Sequence, residues 1–346
     1  MREANIDINM LNKGLMALPK VLNDMGYDSL REDQKDPINS ILSGKDTFVI
    51  IPTGGGKTLL YAASTKALNF KTIVFSPLIA LQRDQVQSLN LKGVRSGALN
   101  SENTEAQNVM TLLDWNRGDL DIMFVAPERI ETPQFKAAMA AVKPDMVVLD
   151  EAHTMSQWGS SFRPAYRRCG EFVKEHNPRI VLALTATATP KIISDVQEVL
   201  DIQNCNVICK YSPRTNLKLS SSFTPSEDLF GEILKKVRSI DGSIIIYCDT
   251  IKHVEELVVF LSEAGESVTY YHGQMSRQEE RKSNQDKFMN DEVRIIVCTG
   301  AFGMGIDKPD IRGVIHAYPP GSVEAITQET GRASRDGADA VCHMFY

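Results

Sequence analysis

The sequence predicts an α/β fold of two tandem domains, each a mostly parallel sheet flanked by helices. Two observations carry this prediction: apolar runs of strand length alternate with helix-like stretches, and the pattern restarts after a polar, proline-containing break at 211–216. A chain of 346 residues is long enough for two such cores. We therefore expect one domain over 1–211 and a second over 212–346. In open parallel sheets, ligands bind beyond the carboxyl ends of the strands.

The expected strands fall into two groups. Those of the first half are 47–51, 72–76, 121–125, 146–150 and 180–184. Those of the second half are 243–247, 267–271, 293–298 and 312–317. The chain stops at Tyr346, on what we expect to be a further strand of the second domain.

A glycine-rich loop follows the first apolar run and indicates a phosphate site. Glycines let backbone N–H groups converge on phosphates, and the helix-like stretch 59–68 would present its positive end to them. Lys57 would reach the β- and γ-phosphates, while Thr58 would supply a hydroxyl to Mg²⁺. The strict G-x-x-x-x-G-K-[ST] pattern fails at Ile51, which leaves an ordinary glycine turn as the alternative. The predicted nucleotide contacts are Thr53, Gly54, Gly55, Gly56, Lys57 and Thr58.

Two acidic residues, Asp150 and Glu151, follow another apolar run and complete a Mg-nucleotide site. Asp150 would hold Mg²⁺, directly or through water, and Glu151 would orient the attacking water. Carboxylates also occur at helix N-termini without catalytic purpose, and this is the alternative reading. His153 by itself is more often a structural hydrogen-bonding residue. Together, the loop and the acidic pair predict a motor ATPase.

The composition narrows the class of protein. A net charge of −6 argues mildly against a wholly electrostatic nucleic-acid binder but allows a local basic channel. No stretch reaches the ~18 apolar residues of a membrane span, and the polar N-terminus is no secretory signal, so we expect no membrane association. Six scattered cysteines predict reduced thiols in an intracellular protein and no zinc site.

A pair of arginines in the second half suits phosphoryl chemistry. Arg332 and Arg335 stand three residues apart, on one helix face if the stretch is helical. Guanidinium groups stabilise charge that develops on a transferred phosphoryl group. We therefore expect an arginine of the second domain to act on a nucleotide that the first domain holds. The alternative is a surface helix with solvated arginines.

The assembled motifs resemble the helicase core of the RecQ family, within superfamily two of the helicases, over residues 24–346. The resemblance implies two RecA-like domains. The matching segments are Pro52–Thr58 (motif I), Ser76–Leu81 with Asp84 and Gln85 (Ia), Ala126–Arg129 (Ib), Asp150–His153 (II, the DEAH box), Thr185–Thr189 (III), Ala301–Pro309 (V) and Gln328–Arg335 (VI).

By this resemblance, two further segments contact the ligands: one the adenine base of the nucleotide, the other the nucleic acid. Tyr27 and Arg31 would sandwich adenine while Gln34 reads its edge. Residues 156–164 resemble the aromatic-rich loop, whose aromatic side chains stack on unpaired bases; core packing of these aromatics is the alternative. The expected contacts to nucleic acid are Ser76, Pro77, Gln157, Trp158, Phe162, Arg163 and Thr299. The expected nucleotide contacts from the second domain are Gly305, Asp307 and Gln328.

Three departures from the family pattern are visible. Ser160-Ser161 replaces the usual His-Asp of the aromatic-rich loop, which puts the strength of coupling to DNA in question. Ser334 replaces a usual glycine of motif VI. The zinc-binding, winged-helix and nuclease-like modules of many RecQ proteins are expected to be absent, so unwinding of duplexes would be weak or short-range.

The resemblance implies an ATP- and Mg²⁺-dependent DNA helicase that moves 3′→5′ on single-stranded DNA and unwinds partly duplex DNA. Its expected location is with DNA: the nucleoid or cytoplasm of a bacterium or virus, or a eukaryotic nucleus. One alternative is an RNA helicase of the DEAD/DEAH type. The other, from a different class, is a nucleotide-gated binding or scaffold protein without useful turnover.

Overall fold

The computed structural model describes residues 8–52, 54–157, 162–210, 214–275, 278–300, 302 and 308–346. The chain divides into two compact units, Met1–Tyr211 (unit 1) and Ser212–Tyr346 (unit 2). Both units are α/β, with helices flanking a parallel sheet, as the sequence predicts. The expected site residues that lie outside the described residues are Thr53, Trp158, Gly305 and Asp307.

Unit 1 alternates strands and helices along the chain. Its strands are β1 (Thr47–Ile50), β2 (Thr72–Phe75), β3 (Ser96–Leu99), β4 (Ile122–Val125), β5 (Met146–Leu149), β6 (Ile180–Thr185) and β7 (Asn206–Cys209). Its helices are α1 (Ile8–Asp24), α2 (Glu32–Leu42), α3 (Lys57–Leu68), α4 (Ile79–Leu91), α5 (Glu105–Arg117), α6 (Pro133–Ala141), α7 (Pro164–His176) and α8 (Pro190–Leu200). Short 3-10 helices cover Pro127–Arg129 and Ala152–Met155.

The strands of unit 1 run parallel in the order β3-β4-β2-β5-β6-β1-β7. Side chains of one strand alternate between two cores: Val147 and Leu149 of β5 enter one, while Met146 and Val148 enter the other. Burial on both faces explains why these strands read as continuous apolar runs rather than as alternating patterns. Strand β6 separates β1 from β5, so the glycine-rich loop and the acidic pair emerge two strands apart at the same sheet edge.

Unit 2 repeats this architecture. Its strands are β8 (Leu217–Ser222), β9 (Ser243–Tyr247), β10 (Val268–Tyr271), β11 (Ile295–Cys298), β12 (Ile311–His316) and β13 (Ala340–Phe345). Its helices are α9 (Leu229–Arg238), α10 (Ile251–Glu263), α11 (Gln278–Met289) and α12 (Val323–Thr330). The strands run parallel in the order β10-β11-β9-β12-β13-β8.

The nine expected strands are present, and the expectation of a strand at the end of the chain is met by β13. The structure adds β3, β7 and β8, which the apolar runs do not indicate. All three are edge strands: β7 and β8 are largely exposed, and three of the four residues of β3 are small, so none carries the buried apolar signature. Within the described residues, none of the helices has the length and apolar content that crossing a membrane requires.

Candidate nucleotide site and nucleic-acid contacts

The glycine-rich loop leaves β1 and enters α3 through backbone conformations that favour glycine. Gly54 and Gly56 have φ of 80° and 73°, in the left-handed region. A Cβ on Gly55 would come within 2.8 Å of the Pro52 carbonyl oxygen, so a side chain cannot fit there. The loop therefore leads directly into the N-terminus of a 12-residue helix, and a glycine-rich loop in this position is the arrangement that binds phosphate.

Lys57, Asp150 and Glu151 meet at this loop. Lys57 Nζ is buried, lies 4.0 Å from Glu151 Oε1 and has no hydrogen-bond partner among the described residues. Burial raises the pKa of Asp150 above its ordinary value; the nearby Glu151 charge adds to the rise and Lys57 opposes it. A buried ammonium without a hydrogen-bond acceptor fits a phosphate group. A carboxylate whose charge is disfavoured fits a divalent cation, so these residues match a Mg-nucleotide.

Thr185, at the end of β6, joins the two halves of this site. Its backbone oxygen accepts a hydrogen bond from Ile51 N at 3.0 Å, where the glycine-rich loop begins. Its Oγ1 lies 2.9 Å from His153 Nδ1, within the acidic segment. His153 thus has the structural hydrogen-bonding role that its sequence position suggests. Thr185 itself belongs to the motif III segment, but the sequence does not indicate that its side chain connects the two motifs.

Glu151 has a strained backbone. Its φ of 51° lies in the left-handed region, which costs a non-glycine residue about 1–2 kcal/mol. Both the backbone N and the Oγ1 of Thr154 donate to the Glu151 carbonyl at 2.9 Å and hold the turn. The side chain is directed between Lys57 and His153, whose Nδ1 lies 3.4 Å from Glu151 Oε2. Backbone strain of this kind is typical of functional sites.

The residues expected to read the base pack against the glycine-rich loop. Arg31 Nη2 donates to the Gly54 carbonyl at 3.1 Å, and Gln34 Nε2 donates to the Gly55 carbonyl at 3.3 Å. Gln34 Oε1 also accepts from Arg31 N at 3.0 Å, a hydrogen bond to the N-cap residue of α2. Tyr27 lies nearby in the sequence, and the Lys92 ammonium sits over its ring at 4.4 Å from the centroid.

Of the described unit 1 residues expected to contact nucleic acid, the structure shows only Arg163 and Pro77 bonded to each other. Arg163 Nη1 donates to the Pro77 carbonyl at 2.9 Å, which joins the aromatic-rich loop to motif Ia. Ser76 is buried, and its Oγ has no hydrogen-bond partner among the described residues. Gln157 N donates to Asp195 Oδ2 at 3.3 Å. Phe162 is 37% exposed, so the core reading does not hold for this aromatic residue.

In unit 2, the condition under which Arg332 and Arg335 would share a helix face is not met. Helix α12 ends at Thr330, so Gln328 is helical whereas Arg332 and Arg335 lie in the turns that follow. Ser334, which lies between the two arginines, has a φ of 46° in the left-handed region, so no helix runs through this segment. Thr299, the remaining described contact of this unit, follows β11 and donates its N–H to the Tyr271 carbonyl at 3.3 Å.

A buried polar cluster supports Arg332. His316 Nε2 pairs with Glu329 Oε2 at 2.7 Å, and the His316 ring stacks on Tyr247 at 5.5 Å between centroids. Burial raises the pKa of Tyr247, and the adjacent Arg332 charge opposes the rise. Arg332 is itself buried, and its Nε has no hydrogen-bond partner among the described residues. No sequence pattern indicates this cluster, because His316 lies at the end of β12 and Glu329 lies on α12.

Gln85 is a further residue of the candidate site that the sequence does not indicate as a site residue. Its Nε2 lies 3.4 Å from Thr58 Oγ1, the hydroxyl expected to bind Mg²⁺. Gln85 lies on α4, which begins in motif Ia, so this weak hydrogen bond connects that helix to the nucleotide site. The signal was present in the sequence, since Gln85 belongs to the motif Ia match, but nothing there indicates its partner.

Comparison with known families agrees with this geometry. Residues 31–196 match the model of the DEAD/DEAH box helicase family, and residues 226–337 match the helicase conserved C-terminal domain. Among curated proteins, the chain is 37% identical over 320 residues to the probable ATP-dependent DNA helicase RecS of Bacillus subtilis, covering 91% of this chain and 64% of RecS. It is 35% identical to the B. subtilis ATP-dependent DNA helicase RecQ, covering 93% of this chain and 54% of RecQ. The chain thus spans little more than half the length of these relatives.

Solved structures share the fold. One is S. cerevisiae Dbp5 bound to RNA and ADP BeF3, with a TM-score of 0.75, 19% identity and coverage of 95% of this chain and 86% of that one. Another is the DUF1998 helicase MrfA bound to DNA, with a TM-score of 0.74, 18% identity and coverage of 100% and 51%. At this identity the likeness establishes the fold alone.

Proposed function

The chain belongs to the RecQ family of superfamily-two helicases, and on that premise we propose that it is an ATP-dependent DNA helicase core. It couples ATP hydrolysis to 3′→5′ movement on single-stranded DNA and to the unwinding of partly duplex DNA. The observation that carries the proposal is the convergence of Lys57, Asp150 and Glu151 on the glycine-rich loop. A site that only retained nucleotide would need the lysine but not a strained carboxylate beside it.

The residues of unit 1 divide the hydrolytic work. Backbone N–H groups of Gly54, Gly55 and Gly56 and the start of α3 bind the phosphates, with Lys57 Nζ on the terminal ones. Thr58 and Asp150 would hold Mg²⁺, which neutralises phosphate charge when bound. Glu151 orients the attacking water and accepts its proton.

Unit 2 supplies the arginines. Arg332 and Arg335 stabilise the charge that develops on the transferred phosphoryl group, and Gln328 contacts the nucleotide from α12. The cluster of Tyr247, His316 and Glu329 supports this role, since it packs beside Arg332. By the same resemblance, Gly305 and Asp307 also contact the nucleotide.

Unit 1 also carries most of the proposed DNA contacts. Phe162 stacks on unpaired bases, and Arg163 pairs with phosphate or stacks. Because Arg163 also binds the Pro77 carbonyl, the aromatic-rich loop and motif Ia act on DNA as one unit. Ser76, Gln157, Trp158 and Thr299 complete the proposed contacts. The curated relatives carry the name of DNA helicases, which favours DNA over RNA as the substrate.

An ATPase assay tests the function. We expect turnover to rise at least about 10-fold with single-stranded DNA, and much less with single-stranded RNA of the same sequence. Stimulation should weaken steeply with added salt, since phosphate contacts release counterions. Stimulation by RNA alone would assign the chain to the RNA helicases. Turnover that no nucleic acid changes would favour the nucleotide-gated binding protein.

Base choice provides a second prediction. We expect kcat/KM to favour ATP over GTP by about 10-fold or more, because Gln34 can pair with the amino group and ring nitrogen of adenine, where guanine presents the opposite pattern. Gln34→Ala should remove most of this preference. Gln107→Ala is the matched control: Gln107 Oε1 accepts the corresponding bond from Thr104 N, the N-cap residue of α5, at 2.8 Å, and Gln107 has no hydrogen bond to the glycine-rich loop among the described residues. Equal use of ATP and GTP by the unmodified chain would refute the role of Gln34.

A further inference from the structure

Tyr166, on the first turn of α7, connects two strand ends of the nucleotide site. The residue is fully buried, and its hydroxyl lies 2.6 Å from the carbonyl oxygen of Phe75, the last residue of β2. The same hydroxyl donates to the carbonyl oxygen of Asp150, directly after β5. Asp150 N in turn donates to the Phe75 carbonyl at 2.9 Å. One phenol therefore spans the exits of two neighbouring strands.

The contact with Asp150 bears on Glu151 through covalent geometry. The Asp150 carbonyl and the Glu151 N–H belong to one planar peptide, so a hydrogen bond to that carbonyl fixes the orientation of the plane. The direction of the Glu151 side chain then depends on rotation about its own N–Cα bond, which is held at the strained φ of 51°. A left-handed turn of this kind persists only where surrounding contacts determine it.

The same helical turn reaches the proposed DNA contacts. Arg163 N donates to the Thr154 carbonyl at 2.8 Å, and its guanidinium donates to the Pro77 carbonyl at 2.9 Å. Tyr166 N donates to the Arg163 carbonyl at 2.9 Å, so the two residues move together. The start of α7 thus contacts three segments: motif Ia, the turn that follows Glu151, and the peptide that links Asp150 to Glu151.

A phenol has one proton to share between two carbonyls. It can donate fully to Phe75 or to Asp150, or divide the bond between them, and a small shift of α7 decides which. A shift of this kind changes how tightly the Asp150–Glu151 peptide is held, without altering the strands themselves. The buried phenol is well placed to transmit such a shift, because it makes no contact with solvent.

We propose that Tyr166 is a positioning residue for Glu151, and that through the first turn of α7 it conveys occupation of the aromatic-rich loop to the hydrolytic carboxylate. This inference rests on the proposed function, since it presupposes that Glu151 activates water and that DNA contacts the loop. The residue acts through a backbone carbonyl and touches neither nucleotide nor DNA.

Tyr166→Phe tests the proposal by removing only the hydroxyl. We expect kcat at saturating single-stranded DNA to fall about 10-fold, while KM for ATP and the DNA concentration for half-maximal stimulation stay within about 2-fold. Cys169→Ala is the control for packing: it lies one turn further along α7, equally buried in the same core, without a bond to the acidic segment. It should leave kcat and KM unchanged, and thermal unfolding of both variants shows that they are folded.

A double-mutant cycle separates positioning from a general structural effect. In single-turnover measurements, Tyr166→Phe should slow hydrolysis by less than about 2-fold when Glu151 is already Gln. An equal loss in both backgrounds would overturn the proposal, as would a kcat for Tyr166→Phe equal to that of the unmodified chain. A failure of the proposed function is recognised separately, because the unmodified chain would then show no stimulation by DNA.

Discussion

Arg332→Ala and Arg335→Ala should each lower DNA-stimulated kcat by about 10³- to 10⁵-fold, the range found for arginine fingers in phosphoryl transfer. Affinity for ATP should change only severalfold, because guanidinium groups of this kind act mainly on charge that develops in the transition state. Lysine at either position should restore little of the lost turnover, since it keeps the positive charge but lacks the planar guanidinium group. Single-turnover hydrolysis and equilibrium nucleotide binding measure the two quantities separately.

Arg238→Ala serves as the control for the arginine variants. Arg238 lies at the end of α9, outside motif VI, and is exposed and paired with Glu266 Oε1 at 2.9 Å. Its loss should leave turnover unchanged. Equal losses of affinity and rate in the motif VI variants would mean that these arginines bind only ground-state nucleotide. Normal turnover in both variants would indicate that the two arginines are solvated surface residues.

Glu151→Gln should bind ATP normally and hydrolyse it at least about 10²-fold more slowly, because a general base or water-orienting group typically contributes ~10²–10⁴ to the rate. Lys57→Ala should weaken nucleotide binding as well, since its buried ammonium provides charge to the ground-state phosphates. Fluorescent-nucleotide titration and DNA-stimulated turnover distinguish the two variants.

Glu175→Gln is a suitable control for the loss of a carboxylate, because Glu175 is an exposed residue of α7. We expect its turnover to match that of the unmodified chain. Near-normal DNA-stimulated turnover of Glu151→Gln would exclude this residue as the group that activates water. A loss of ATP affinity in Glu151→Gln equal to the loss in rate would assign it to binding instead.

Much of the fold and of the nucleotide site could be predicted because the informative residues are local in sequence. The glycine-rich loop and the acidic pair each follow a buried apolar strand, so one short stretch of sequence indicates both the strand and the motif. Strands β7 and β8 were missed for the opposite reason: they lie at sheet edges, where exposed positions do not require apolar residues. The sequence left open whether the motif VI arginines are helical, because the turn there includes a left-handed conformation of Ser334 that sequence patterns do not reveal.

Ser334 shows how tertiary contacts decide such a turn. Glycine would adopt its left-handed conformation without strain, whereas serine needs partners. Arg214 donates to its carbonyl oxygen, and Arg312 Nη1 donates to its Oγ at 3.2 Å. Its Oγ also bonds to the Ala338 carbonyl. Arg214 and Arg312 lie 120 and 22 residues from Ser334 in the sequence, and contacts of this kind become visible only once the chain is folded.

The strand order of unit 2 has a consequence for how the chain folds as it is synthesised. Its earliest strand, β8, is joined to the sheet through β13, its latest, so the sheet cannot close until nearly the whole unit has left the ribosome. Unit 1 closes its sheet earlier in synthesis, because its first strand β1 pairs with β6 and β7, which are both made before any strand of unit 2. A growing chain would therefore pass through a stage in which the phosphate loop is already formed while the arginines still belong to an unfolded segment. A nascent chain at that stage could bind nucleotide without hydrolysing it efficiently.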